Sequence, residues 1–330
     1  MQSVRNKKMN LKKILKTKLP YLFEIYCFFV MKWQSFCGKR MLQKDPERFV
    51  GDLYEKGLHK KADLENPKTF NEKLNWLKIN WFDDRALSAA DKFEVRQFVE
   101  SKGLGHLLNE LYGVWEDPAD IDFDALPDHF VLKSSHDSGH LILVKDKAQL
   151  NKKLALFKMR WWLKNEYCFI SGEWPYFTNK PYIVCERFLE DSRNDDLYDY
   201  KFFCFNGEPE YVFFCSDRKN SVKADFYDMD WKKQDFRWHY PNADMVAPRP
   251  QNFEKMKEYA RTLAKDFPFV RVDFYEVDGK VYFGELTFFH GGGRGEFNPD
   301  ETDTVFGEKI TLPEKKDPWG YVFEQRGKKK

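Results

Sequence analysis

Two carboxylates, a guanidinium and a hydroxyl lie in two short stretches late in the chain, Arg271-Val-Asp273-Phe-Tyr and Phe283-Gly-Glu285-Leu-Thr287. On an extended strand alternate side chains share a face, so Arg271 and Asp273 point together, as do Glu285 and Thr287. Val277-Asp278-Gly279 between them reads as a hairpin turn. Strands paired across that turn bring the acidic pair, the cation and the hydroxyl onto one face. Two carboxylates on a rigid hairpin suit Mg²⁺, which takes one or two carboxylates and leaves room for phosphate oxygens and water. The plain alternative is a cross-strand salt bridge on a solvated face.

Neighbouring segments add groups of the same kind. Lys133 ends an apolar run and precedes Ser134-Ser135-His136-Asp137-Ser138-Gly139. A strand, a lysine and a small polar loop can set an ammonium and backbone N–H groups around phosphates, with Ser135, Ser138 and Gly139 as candidate contacts. Cys185-Glu186-Arg187-Phe188-Leu189 reads as a strand ending in an acid and a ring, able to face an adenine edge and ribose. His290 precedes Gly291-Gly292-Gly293 and can donate to a substrate carboxylate or phosphate, or serve as a structural histidine. Asp228-Met229-Asp230 has the form of a glycosyltransferase metal motif.

These groups need elements to hold them. Thr69 with Glu72 forms a capping box at a helix start, and Phe70, Leu74, Leu77 and Trp81 fall on one helical face. A second helix is expected from Ser88, with Asp91 in the same capping relation and Val95, Phe98 and Val99 buried. From about residue 128 strands take over. Phe130–Lys133 with Leu141–Val144, Lys201–Phe205 with Tyr211–Cys215, and Val270–Tyr275 with Lys280–Thr287 read as hairpins; Tyr182–Leu189 reads as a single strand. Helices are expected over Lys152–Lys164 and Asn252–Lys265. Hairpins mixed with helices argue for α+β lobes rather than a doubly wound parallel sheet.

Composition sets the bounds. Of 330 residues, 42% are hydrophobic, 33% charged and 18% aromatic, which describes a globular chain with rings to spare for a nucleotide or sugar pocket. A net charge of +2 gives no basic field for nucleic acid. The charge is uneven, since residues 1–18 carry seven Lys or Arg and no acid. The apolar run Ile25–Met31 is too short to span a bilayer. An amphipathic arm on an anionic membrane surface or partner, or a basic helix packed on the domain, accounts for residues 1–33. Six cysteines without a CxxC pair read as buried reduced thiols of a cytosolic protein.

The ordered set resembles the ATP-grasp superfamily. Asp91-Lys92 resembles its early helical lysine, Lys133 its second ATP lysine, and Ile183-Val-Cys185-Glu186-Arg-Phe188 the hinge strand that hydrogen-bonds adenine. Asp273 and Glu285 resemble its metal carboxylates, with Thr287 at the third metal position, usually Asn. Arg271 resembles the arginine that stabilises the tetrahedral intermediate in D-alanine–D-alanine ligases. Asp199-Tyr-Lys201 and Arg218 resemble substrate- or phosphate-facing positions in the branch that adds glutamate to a ribosomal protein. Closer still, Asn66-Pro-Lys-Thr-Phe-Asn-Glu-Lys-Leu-Asn-Trp-Leu-Lys78, Asp91-Lys92 with Val95-Arg96, Asp199–Pro209 and Gly284-Glu-Leu-Thr-Phe288 resemble the TupA-like ATP-grasp family. Together they cover about residues 60–310.

The resemblance implies an ATP-grasp fold of two α+β lobes clasping ATP, with a helical N-terminal extension. The implied organisation is a basic helical arm at 1–60, a helical region at 61–125, an ATP-grasp domain at 126–310 and a basic tail at 311–330. The domain divides into a lid lobe at 126–184 and a metal and substrate lobe at 185–310. ATP and Mg²⁺ are the implied cofactors. The implied reaction joins a carboxylate to an amine through an acyl phosphate in cell-surface polysaccharide synthesis. The carboxylate would be on a uronic-acid glycan or its lipid-linked precursor, and the amine on an amino acid. The implied place is cytoplasmic, on the inner face of the membrane. The rivals are a glycosyltransferase and a kinase on the same scaffold.

Overall fold

The computed structural model describes residues 17–178, 180–191, 197–216 and 222–328. The first long helix, α1 (Pro20–Lys44), buries Ser35, Gly38 and Leu42. Helix α2 (Pro46–Leu58) starts where the Asp45 side chain accepts the Arg48 N–H, and it sinks Phe49, Val50 and Tyr54 into the main core. Residues 46–58 are therefore part of the body and not of an arm. Helix α3 (Phe70–Asn80) carries the expected capping box, with Phe70, Leu74 and Leu77 buried and Trp81 buried just past its end. The next expected helix is two: α4 (Asp84–Ala90) and α5 (Val95–Ser101). Asp91 breaks them, because its Oδ1 accepts the N–H groups of Phe93 and Glu94 at 2.8 and 3.0 Å and so holds the turn that precedes the second.

A small antiparallel sheet follows, in the order β1 (Leu111–Trp115), β4 (Ile183–Arg187), β2 (Phe130–Ser134), β3 (Leu141–Val144). The lid lobe thus begins at Leu111, earlier than the expected 126, since β1 pairs with β4 seventy residues downstream. Helix α6 (Lys152–Trp162) closes one face of this sheet over a core that includes Phe130, Leu132, Met159, Ile183 and Cys185. The short α7 (Tyr167–Ser171) returns to the main body and buries Phe169. Helix α1 touches both: Phe28 meets Trp161 on α6 at 4.0 Å between ring centroids, and the position of a Gly38 Cβ would collide with the Phe169 carbonyl.

The larger antiparallel sheet runs β10 (Lys280–Thr287), β9 (Phe269–Val277), β5 (Asp199–Phe205), β6 (Glu208–Ser216), β7 (Lys223–Asp228). Helix α8 (Phe253–Ala264) packs Phe253, Met256, Ala260 and Leu263 on one face. On the other face alternate residues change character along each strand. They read Asp199, Lys201, Phe203, Phe205 on β5 and Tyr275, Asp273, Arg271, Phe269 on the partnered β9. The aromatic half is covered by Phe70 of α3 and Phe306 of α9 (Glu301–Glu308), with Phe70 and Phe269 ring centroids 4.9 Å apart. The polar half is left as a built site. Strands β8 (Arg237–Trp238) and β11 (Phe297–Asn298) form a small ribbon beside it.

The chain's last described helix, α10 (Pro318–Gly327), is no loose tail: Trp319 is buried and its indole N–H donates to the Lys78 carbonyl at 3.0 Å. Among the described residues no helix is long and apolar enough to cross a membrane.

Candidate active site

The hairpin of β9 and β10 turns at Asp278 and Gly279, with φ of 50° and 79°, the left-handed pair of a two-residue hairpin turn. Regular pairing from that turn would set Gly284 opposite Asp273 and send Glu285 to the helix-covered face. A bulge between Phe283 and Glu285 restores the phase, so Glu285 sits opposite Asp273 and Thr287 opposite Arg271. Lys201 is the cross-strand partner of Asp273 on its other side. Lys201, Asp273 and Glu285 therefore form a row across three adjacent strands, with Arg271 and Thr287 beside it.

The row is bonded tightly. Arg271 donates from Nε to Asp273 Oδ1 and from Nη2 to Asp273 Oδ2, each at 2.7 Å, a bidentate fork. Nη2 also donates to Glu285 Oε1 at 2.7 Å, and the Thr287 hydroxyl donates to the same oxygen at 3.2 Å. Lys201 donates to Asp199 at 2.5 Å and to Asp273. The salt-bridge alternative is thus present, but it is buried: Asp273 is 1% exposed. Burial pushes the Asp273 carboxyl up to about 6, against the pull of Arg271 and Lys201. Burial acts the same way on Glu285, yet Arg271 and Lys201 overcome it and hold Glu285 down at about 2. Burial works against the charge on Lys201, but Asp199 and Asp273 hold it above its ordinary value.

The residues fit Mg²⁺ by donor type. Glu285 keeps 44% of its side chain exposed, Thr287 adds a hydroxyl, and Asp273 lies opposite. Lys201 already reaches Asp199, so it can leave Asp273 without losing its countercharge. Two carboxylates suffice when phosphate oxygens and water complete the shell.

A cleft of about 290 Å³ opens between the two sheets, walled by Lys133, Glu186, Phe188 and Leu143 from the lid and by Tyr275 and Phe283 from the floor. Lys133 donates to Glu186 at 2.6 Å within it. Cys185 departs from expectation. It is adjacent to Glu186 on a strand, so it faces the opposite way, into the lid core, where burial pushes its thiol up to about 12. Ser135 departs too: it is buried, and its hydroxyl accepts the Tyr182 N–H at 3.2 Å, stitching loop to strand. Ser138 and Gly139 stand exposed at the loop tip. The loop is stiffened from inside, with His136 buried and bonded to the Asn165 carbonyl and His140 bonded to Asp137. Lys92 reaches this loop, its Nζ donating to the Asp137 carbonyl and its N–H to the Ser135 carbonyl. It lies in a turn before α5 rather than on a helix.

Behind the row stands the glycine loop. Gly291, Gly292 and Gly293 have φ of 57°, 65° and 62°, which side chains rarely adopt, and a Cβ on Gly291 would enter the Trp238 ring. Helix α3 grips the loop from one face. Asn75 donates to the Gly293 carbonyl at 2.7 Å, Lys78 to Gly292 at 2.8 Å, and Asn71 to Gly295 at 2.9 Å. Burial pulls Lys78 down to about 7, with Glu173 opposing. His290 accepts from Arg271 at Nδ1, 2.9 Å away. Burial, then Arg271 and Lys201, keep it neutral, which leaves the proton on Nε2, a buried atom without a partner among the described residues. His290 thus orients Arg271 from behind. Asn71, Asn75 and Lys78 are site-building residues that the sequence marks only as part of the family motif and gives no role, while Asp199 stands beside Lys201 as the sequence groups them.

Arg218 lies outside the described residues. Asp228 is spent on a turn: its Oδ1 accepts the N–H groups of Asp230 and Lys232 at 3.0 and 2.9 Å, and its Oδ2 accepts from Gln234. The Asp228-Met229-Asp230 motif is therefore a strand end and not a metal-facing pair.

The profile described as TupA-like ATPgrasp matches residues 72–311, nearly three quarters of the chain. The chain belongs to the TupA-like ATP-grasp family. A comparison with functionally curated proteins returns no match. Among solved structures, one similar to this family member is purK, an N5-carboxyaminoimidazole ribonucleotide synthetase in complex with ADP. It is 15% identical at a TM-score of 0.44, over 83% of this chain and 66% of that one. D-alanine–D-alanine ligase from Bacillus anthracis is 16% identical at a TM-score of 0.38, over 61% and 58%. The ATP-grasp ligase PsnB, complexed with a phosphomimetic variant of its minimal precursor, Mg and ADP, is 10% identical at a TM-score of 0.37, over 74% and 60%. The chain spans 58% of the length of the D-alanine–D-alanine ligase, 60% of PsnB and 66% of purK.

Proposed function

We propose that this TupA-like ATP-grasp protein is an ATP- and Mg²⁺-dependent carboxylate–amine ligase. The observation that carries the reading is the row Lys201–Asp273–Glu285 with Arg271 beside it, next along the strands from Tyr275 and Gly284, which floor a cleft whose lid wall bears Lys133 and Glu186. ATP lies in that cleft with adenine toward Glu186 and Phe188. Lys133 and Lys92 meet its phosphates together with the backbone N–H groups at Ser138 and Gly139. Mg²⁺ held by Asp273, Glu285 and Thr287 would supply charge neutralisation at the phosphate oxygens. A substrate carboxylate oxygen attacks the γ-phosphorus, the bond to the β-phosphate oxygen breaks, and ADP leaves. An amine then attacks the acyl carbon and loses a proton, and phosphate departs. Arg271, oriented by His290, faces the oxyanion of that step. The closed cleft keeps water from the acyl phosphate.

The substrate reading follows the family resemblance: a uronic-acid glycan or its lipid-linked precursor supplies the carboxylate and an amino acid the amine, in cell-surface polysaccharide synthesis. On the same reading the protein works in the cytoplasm, peripheral to the inner face of the membrane. The test is Mg·ATP binding and product analysis with a panel of uronic acids and amino acids, for wild type and an Asp273→Asn, Glu285→Gln double variant. ADP and phosphate from the wild type alone support the ligase. A nucleotide-sugar bound in place of ATP makes the protein a transferase. ADP with a phosphorylated alcohol and no free phosphate makes it a kinase.

A further inference from the structure

Helix α1 turns one face to the body and leaves the other bare. Leu22, Tyr26, Phe29, Trp33 and Phe36 recur at three- and four-residue steps and are 51–67% exposed, Trp33 the most at 67%. An apolar helix face of this width normally lies inward. Here the inward face is already engaged: Glu24 pairs with Lys158, Phe28 lies on Trp161, and Ser35 bonds to Glu166. The outer face is therefore an addition to the fold and not a part of its core.

A second feature borders it. On the flank of α1 a cleft of about 440 Å³ is lined by Lys32, Lys164 and Arg326, with Glu166 as the one acid among the described lining residues. Both Glu166 oxygens are taken, one by Arg326 and one by Ser35. The cations crowd each other: burial, then Arg326 and Lys164, pull Lys32 below its ordinary value. Lys32, Lys164 and Arg326 against the single carboxylate of Glu166 leave an excess of positive charge that favours an anion. The chain ahead of the helix adds charge of the same sign, with seven Lys or Arg and no acid over residues 1–18.

We propose that α1 lies flat on an anionic phospholipid bilayer, its aromatic stripe at the boundary of headgroups and acyl chains and a lipid phosphate in the Lys32–Lys164–Arg326 cleft. Rings with polar edges favour that depth, and cations beside them favour acidic headgroups. The inference deepens the membrane part of the proposed function and does not depend on the ligase chemistry.

The experiment is co-sedimentation of the full chain with vesicles of phosphatidylcholine alone or mixed with phosphatidylglycerol. Light scattering reports the mass without vesicles, and thermal melting reports folding. The wild type is expected to sediment with mixed vesicles and to remain in solution with neutral ones. Tyr26→Ser/Phe29→Ser/Trp33→Ser, all on the exposed face, is expected to keep its melting temperature and lose binding. Lys32→Gln/Lys164→Gln is expected to bind mixed vesicles roughly 10-fold more weakly. A wild type that ignores mixed vesicles, or a stripe variant that binds as the wild type does, overturns the proposal. So does a wild-type dimer that the stripe variant dissolves, because a second copy then covers the face. ADP release measured in parallel separates these outcomes from failure of the ligase reading.

Discussion

At the scale of single residues the site depends on Arg271. Its guanidinium spans Asp273 through two parallel bonds and touches Glu285 and His290 as well. A lysine cannot reproduce that planar fork. Arg271→Lys is expected to keep Mg·ATP affinity near the wild-type value and to lower the rate of amide formation by about 10²–10³, read from steady-state ADP release. An unchanged rate would mean that Arg271 only holds the floor together.

Glu285 gives a second residue-scale expectation. Its carboxyl is held at about 2 when folded, below the ordinary value of about 4.3 for an unfolded glutamate. A depressed acid stabilises the fold above its unfolded value, and that contribution disappears as pH falls through the folded value. Because the side chain is 44% exposed, solvent screening leaves a contribution of only ~1 kcal/mol. The melting temperature of Glu285→Gln should lie below that of the wild type at pH 6 to 7, and the gap should close between about pH 4.5 and 2. A gap that stays constant with pH would mean that the ion pair with Arg271 contributes nothing.

At the scale of elements, α3 works as a clamp. Asn71, Asn75 and Lys78 follow one another at helical spacing on a polar face, and each ends on a carbonyl of the 292–295 loop. Asn71→Ala also removes a donor to the buried Asp303. It is expected to cost about 2–3 kcal/mol in urea unfolding, because it strands buried polar groups. The sequence made α3 legible as a helix, through its capping box and its apolar stripe, but not as a clamp. The clamp's partners lie more than two hundred residues away, beyond what local spacing can report. The hairpin was legible in the same partial way. Alternation put Arg271 with Asp273 and Glu285 with Thr287, while the bulge that joins the two pairs depends on Gly284 and has no periodic signature. Alternation also separates Cys185 from Glu186, and grouping them as neighbours along the chain overlooked it. β1 was missed because its partner strand, and not its own pattern, assigns it to the lid.

At the scale of the whole molecule there are two cores, one under the lid sheet and one under the floor sheet, with the cleft of about 290 Å³ between the sheets. A ligand in that cleft ties the two together. Adding Mg·ATP is expected to slow amide hydrogen exchange over residues 130–144 and to leave α9 unchanged, since α9 is already locked in the aromatic core. Equal slowing everywhere would point to general stabilisation instead of closure. Helix α1 spans both bodies, meeting α6 of the lid at Phe28 and the segment around Phe169 at Gly38, so it limits how far the lid can swing.

The grip of α3 on the glycine loop also bears on how the protein is made. The bonds from Asn75 to Gly293, Lys78 to Gly292 and Trp319 to Lys78 join residues 218, 214 and 241 positions apart. Closing loops of that length costs entropy before any contact rewards it, and folding slows as the mean separation of contacts grows. A chain emerging from the ribosome can complete its lid sheet once residue 187 is out, but α3 then has no loop to hold. Its polar face stays unmatched until residues 292–295 arrive, and during that interval the half-made protein is most exposed to aggregation and proteolysis.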